Sequence, residues 1–126
     1  MAVGLIELPV NWIIDDSPMY GAGGDFPSPR LIMQTFKDDF DIAYKEGTMF
    51  MLTMHPHITG QRTGIGQLEE LIRYMQSKPG VWFATAEEIA KWIKRQIVHR
   101  RTTARSVLRP SAAMLAVTRA PCSLPE

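Results

Sequence analysis

Two short clusters hold the residues best suited to chemistry. His55-Pro56-His57 follows a run of apolar residues, and Asp15-Asp16 follows Trp12-Ile13-Ile14. Imidazole, with an ordinary pKa of about 6.5, can hand a proton to a leaving group at neutral pH. It can also serve as a satisfied polar group in a loop. Adjacent carboxylates can orient a base, hold a cationic side chain or help bind a metal, and more commonly they open a turn by bonding their own backbone. An H-x-H at a strand end can chelate zinc, but a catalytic zinc takes three protein ligands and an open position. The remaining imidazole, His99, stands in a basic stretch near the carboxyl end. The spacing therefore favours acid/base work for His55 and His57, and no complete metal centre is assigned within the chain. A third segment, Gly60-Gln61-Arg62-Thr63-Gly64-Ile65-Gly66, can offer backbone donors to an anion with Arg62 as counter-charge. It lacks the Lys-Ser/Thr of a phosphate loop and reads as a flexible loop over the site.

The elements that must carry these clusters alternate between strand and helix. Leu5 to Val10 and Trp12 to Ile14 read as extended chain around Pro9, followed by a Gly/Pro-rich loop from Asp15 to Pro27. Ser28-Pro29 gives an N-cap and a first-turn proline. Leu31, Ile32, Thr35, Phe36, Phe40, Ala43 and Tyr44 then recur at helical spacing until Gly47. Thr48 to Met54 is almost continuously apolar and too short for a lone helix, which predicts a strand buried on both faces. Leu68, Leu71, Ile72 and Met75 mark a second helix ended by Pro79-Gly80, and Val81 to Phe83 a short strand. Thr85 with Glu88 is a capping-box signature for a third helix, with Ile89, Ala90 and Ile93 on its apolar side. This order predicts an α/β fold of parallel strands and crossover helices, whose ligand sites form at the carboxyl ends of strands. Both His55 and Asp15 fall at such ends. Three such units cannot close a barrel, which usually needs roughly 200 residues or more, so the chain reads as part of one.

Composition narrows the classes further. The 126 residues are sized for one domain at most, and the single Cys122 cannot form an internal disulfide. No stretch approaches the ~18 consecutive apolar residues of a membrane span. The start lacks a basic segment followed by a long apolar one, so the expected compartment is the cytoplasm. The formal charge of +1 conceals an asymmetry: residues 1–93 carry seven basic and twelve acidic side chains, whereas 94–126 carry seven basic ones and Glu126 alone as acid. All eleven aromatic residues lie before position 93. The expected division is a domain over 1–97 and a disordered or irregular basic tail over 98–126, since a segment without aromatics or periodicity buries too little apolar surface to offset its chain entropy. With no interleaved aromatics and no binding module, the tail is read as a solvated segment and nucleic acid is not an expected partner.

Several ordered segments carry a family resemblance. Leu52-Thr-Met-His55-Pro-His57-x-x-Gly60, Leu68-Glu69-x-x-Ile72-x-Tyr74-Met75 and Gly80-Val-Trp-Phe-Ala-Thr85-x-x-Glu88-Ile-Ala-x-Trp92 resemble the carboxyl-terminal half of polysaccharide deacetylases, the NodB-homology enzymes. The nearest branch is the one with peptidoglycan-deacetylase-like and allantoinase-like proteins. Leu8-Pro-Val-Asn-Trp12-x-x-Asp15-Asp16-x-Pro18-x-Tyr20 is similar to that branch's preceding motif, and the likeness runs over about residues 4–96. The resemblance implies the carboxyl-terminal portion of a deformed (β/α) barrel that hydrolyses a non-peptide C–N amide bond, removing acetate from an N-acetylated sugar. It implies His55 as the catalytic acid, with His57 lining the pocket. Asp15 and Asp16 support and orient the site, without deciding which of the two meets His55. Trp12 and Tyr20 would shape the substrate wall, with Arg62 beside them.

The resemblance also implies zinc or another divalent metal in the full-length family. The family's amino-terminal motifs, with the base aspartate and the metal-binding aspartate and histidines, have no counterpart among these residues. Groups that act as one catalytic unit fail together, so an isolated chain is expected to retain little hydrolytic power. Two alternatives remain open. One is allantoinase-like cleavage of a cyclic amide. The other is a non-catalytic assembly or binding module that pairs open strand edges with a second copy. The expected partners are a carbohydrate or small-molecule substrate and either a missing amino-terminal segment or another copy of the chain, with no membrane.

Overall fold

The computed structural model describes residues 4–20, 27–102 and 114–119. Residues 4–10 carry no regular secondary structure, and Trp12–Ile14 forms one 3-10 turn whose N-cap, Asn11, accepts the Ile13 N–H on its side chain. The extended first strand expected there is absent. Its one remnant is a parallel bridge between Asp15 and Thr53. Pro9 and the Asn11 cap explain the difference: the first cannot donate to a ladder, and the second turns the chain before pairing can extend.

A short helix α1 (Asp16–Tyr20) follows, then α2 (Pro29–Glu46). Proline opens α2, and the Ser28 carbonyl accepts from Leu31 and Ile32, but the Ser28 hydroxyl makes no capping bond. Gly47 ends the helix at φ 67°, in the left-handed region where only glycine is comfortable, and its N–H returns to the Ala43 and Tyr44 carbonyls. The buried positions Ile32, Met33, Phe36, Phe40 and Ala43 recur every three or four residues, so α2 presents one apolar stripe.

Strand β1 (Met49–Met54) follows, buried through its four central residues as its near-continuous apolar run predicts. Next come α3 (Arg62–Gln76), β2 (Trp82–Ala84), α4 (Ala86–Thr102) and β3 (Met114–Arg119). The capping box of α4 forms as expected. The Glu88 carboxylate accepts the Thr85 N–H at 2.7 Å, and the Thr85 hydroxyl accepts the Glu88 N–H at 3.2 Å. The Thr85 bonds hold the Glu88 carboxyl below its ordinary pKa.

The sheet is parallel with strand order β1-β3-β2, Met49 pairing with Met114 and Trp82 with Met114 on the other edge. The connection from β1 to β2 steps across the sheet and the one from β2 to β3 steps back, so right-handed crossovers place α3 and α4 on opposite faces. The packing agrees. Phe50 and Leu52 join the α2 and α3 residues Phe36, Phe40, Leu71 and Met75 in one cluster, while Met51 packs with Ile89 of α4 in another. The mixed order is that of an α/β fold. Among the described residues the sheet is open, and no barrel closes.

Part of the basic segment is described. Helix α4 runs on to Thr102, and Met114–Arg119 supplies the central strand. Within the segment read as a tail, Met114–Arg119 pairs with β1 on one edge and β2 on the other. Residues 103–113 and 120–126, which include Cys122, lie outside the described residues.

Candidate functional site

The site forms where β1 ends and α1 begins. The Asp15–Thr53 bridge lays the start of α1 beside the last residues of β1, and His55 is the first residue beyond the strand. Asp16 is fully buried. Its Oδ1 lies 2.7 Å from His55 Nδ1, and its two oxygens accept the His55 backbone N–H at 3.1 and 2.9 Å. The Thr59 hydroxyl donates to Oδ2 at 2.6 Å. An ionised carboxylate can only accept, so Nδ1 carries the hydrogen in this pair and Nε2 is the ring nitrogen left for other work. One carboxylate thus fixes both the main chain and the ring of His55.

The acidic doublet divides its labour. Asp15 accepts the Ser17 N–H at 2.9 Å, an Asx turn opening α1, and its Oδ1 stands 3.8 Å from His55 Nδ1. Asp16, and not Asp15, makes the direct bond to the imidazole. The His57 ring lies 5.7 Å from that of His55 at 75°. It lines a cleft of about 490 Å³ together with Ser17, Tyr20, Gln61 and Thr63. The Tyr20 hydroxyl is buried with no hydrogen-bond partner among the described residues, and burial, followed by the Asp16 charge, pushes its pKa up.

Trp12 and Arg62 are not brought to the cleft lining, and His55, Asp15 and Asp16 are not among its lining residues either; His57 is the imidazole that faces it. Trp12 is 70% exposed on the 3-10 turn, and Arg62 is the first residue of α3. The segment read as a flexible loop over the site is therefore partly helix. Two of its three glycines serve close packing: a Cβ on Gly60 would lie 2.0 Å from the Pro56 carbonyl oxygen, and one on Gly64 2.5 Å from that of Thr59, whereas Gly66 faces open space. Thr59 was not singled out from the sequence. The available signal is its place four residues after His55 in a turn, where its N–H returns to the His55 carbonyl at 3.1 Å.

A donor atom from each of Asp15, Asp16 and His55 lies within 4.8 Å of the others, so by proximity they form a candidate cation group. The donor chemistry argues against that use. Two donors held 2.0–2.1 Å from a tetrahedral zinc stand roughly 3.3 Å apart, whereas Asp16 Oδ1 and His55 Nδ1 are at hydrogen-bond distance, and both Asp16 oxygens already accept protons. The three residues fit a hydrogen-bonded dyad with a neighbouring carboxylate, not a zinc ligand set. No described helix is long and apolar enough to cross a membrane.

The chain is 32% identical over 98 residues to the peptidoglycan deacetylase of Helicobacter pylori, an alignment covering 68% of this chain and 32% of that protein. It is 30% identical over 93 residues to a Schizosaccharomyces pombe protein named as a polysaccharide deacetylase, covering 70% of this chain and 29% of the relative. These likenesses support the deacetylase family for the matched region. The chain spans about a third of the length of the curated relatives it matches. No family model matches it, and no solved structure matches it.

Proposed function

We propose that this chain carries the acid half of a polysaccharide-deacetylase active site, acting on the C–N bond of an N-acetylated sugar within a NodB-type barrel. The observation that carries the reading is the bond between His55 Nδ1 and a fully buried Asp16. A carboxylate at Nδ1 sets the tautomer, steadies the ring and stabilises the imidazolium, which suits Nε2 to protonating a departing amine. The likeness to two deacetylases supports the reaction class.

In this reading water adds to the amide carbonyl and gives up a proton to a base outside these residues, while His55, acting as the imidazolium with Nδ1–H held on Asp16, passes its Nε2 proton to the amine nitrogen as the C–N bond breaks, leaving acetate, a free amine and a neutral ring. Asp16 holds the ring while that proton moves. Asp15 stands behind that pair, with Oδ1 3.8 Å from Nδ1. His57 and Tyr20 line the cleft where the sugar would rest. Activation of the water belongs to the family's amino-terminal motifs, which these residues do not reproduce.

The test supplies the amino-terminal portion of a related deacetylase, fused or in trans, and compares an N-acetylglucosamine oligomer with a cyclic ureide. Acetate release from the oligomer, abolished by His55→Ala, is the expected result. Ureide opening instead would move the chain to the allantoinase-like reaction. Turnover that survives His55→Ala would end the proposal.

A further inference from the structure

We infer that Thr59 is a positioning residue for the Asp16–His55 pair, a role that deepens the proposed function and rests on it for its catalytic meaning. Asp16 has two oxygens and three donor groups around it: the His55 N–H, the His55 ring and the Thr59 hydroxyl. The Thr59 bond to Oδ2, at 2.6 Å, is the shortest of them, and Thr59 is itself 2% exposed. It fixes the rotation of the carboxylate about its Cβ–Cγ bond. That leaves Oδ1 in place for Nδ1 and keeps the ring in the tautomer that frees Nε2.

The fold delivers this hydroxyl through packing that only glycine permits. After His55 the chain turns tightly, with the Ile58 and Thr59 N–H groups both returning to the His55 carbonyl, at 2.9 and 3.1 Å. Gly60 lets the turn close over Pro56, and Gly64 lets the first turn of α3 rest against the Thr59 carbonyl. A side chain at either position would push Thr59 away from Asp16. The turn and the helix start therefore hold the carboxylate through Oδ2, while Oδ1 meets the ring.

The experiment reads the His55 tautomer in the full chain by long-range ¹H–¹⁵N spectra, above the pH at which the ring titrates. The wild type and Thr59→Ser are expected to show a single Nδ1–H form. Thr59→Val, which keeps the shape and removes the hydroxyl, is expected to show both forms. Thr59→Ala serves the same purpose should the valine variant fail to fold. A single Nδ1–H form in the hydroxyl-free variant would overturn the assignment, as would a serine variant that behaves like valine. The spectrum needs no substrate. Absence of deacetylation alongside the expected tautomer pattern would therefore count against the proposed reaction and leave the positioning role standing.

Discussion

Replacing Asp16 by alanine removes the one acceptor that three donors share, and the cost follows from where those donors sit. Thr59 is 2% exposed, and the His55 N–H is turned toward the same buried carboxylate, so both lose their partner. A buried donor left unsatisfied costs about 1–3 kcal/mol. The His55 ring is partly exposed and can recover a bond to water, so it adds less. Against this stands the desolvation of the carboxylate, which alanine relieves. The expected net loss is about 3 kcal/mol, at the lower end of the ~3–5 kcal/mol typical when one partner of a buried pair is deleted. Asp16→Asn should cost less, about 1–2 kcal/mol. The amide oxygen can still accept from the ring and the N–H, the Thr59 hydroxyl can rotate to accept from the amide, and mainly charge assistance is lost. Asp15→Ala should cost under about 1 kcal/mol, because it removes a single turn bond at a helix start. Urea unfolding followed by circular dichroism measures all three. An alanine variant within about 0.5 kcal/mol of wild type would refute the shared-acceptor reasoning. So would an asparagine variant as damaged as alanine, or equal effects at positions 15 and 16.

Four further outcomes follow from other contacts. Gly64→Ala should lower the melting temperature by an amount equivalent to about 1–3 kcal/mol, since its Cβ would meet a backbone oxygen that cannot swing aside. Gly66→Ala, with open space at the same helix, is the control and should be neutral or stabilising. Phe40→Ala should cost about 3–5 kcal/mol by calorimetry, because the ring is fully buried against Tyr44, Phe50 and Tyr74. Thr85→Ala should fray the start of α4, at about 1 kcal/mol. Glu88 has a lowered pKa in the folded chain, held down by the Thr85 N–H and hydroxyl. Its contribution is therefore present above its unfolded value and lost as pH falls through the folded one. An acid titration of stability should show that loss in the wild type and not in Glu88→Gln.

What could be read from the sequence depended on whether the signal was local. The α2 stripe, the Gly47 stop and the Thr85–Glu88 box carry signals within a few residues and all form; the strand at 49–54 forms too, marked by its continuous apolar run although its partner β3 is distant in sequence. The first strand does not, because periodicity around Pro9 cannot show that a pairing partner is present. β3 was hidden for the converse reason: a short apolar run in a basic, aromatic-poor stretch becomes a strand through the edges of β1 and β2, which no window of sequence contains. At the site, the types and spacing of His55 and Asp15-Asp16 pointed to a meeting. Which carboxylate would make it was fixed only by the turn of α1 that buries Asp16 and leaves Asp15 to hold Ser17. Trp12 is aromatic in a promising place, but the 3-10 turn leaves it in solvent.

The strand order also bears on synthesis. Among the described residues β3 is the last of the three strands to leave the ribosome, yet it is the one that joins the other two. Until residue 119 has emerged, β1 and β2 have no common neighbour, and each offers an unpaired edge to whatever is nearby. The Asp16, His55 and Thr59 bonds need none of those late residues. Every residue of that bond set has therefore left the ribosome before the sheet behind it can close.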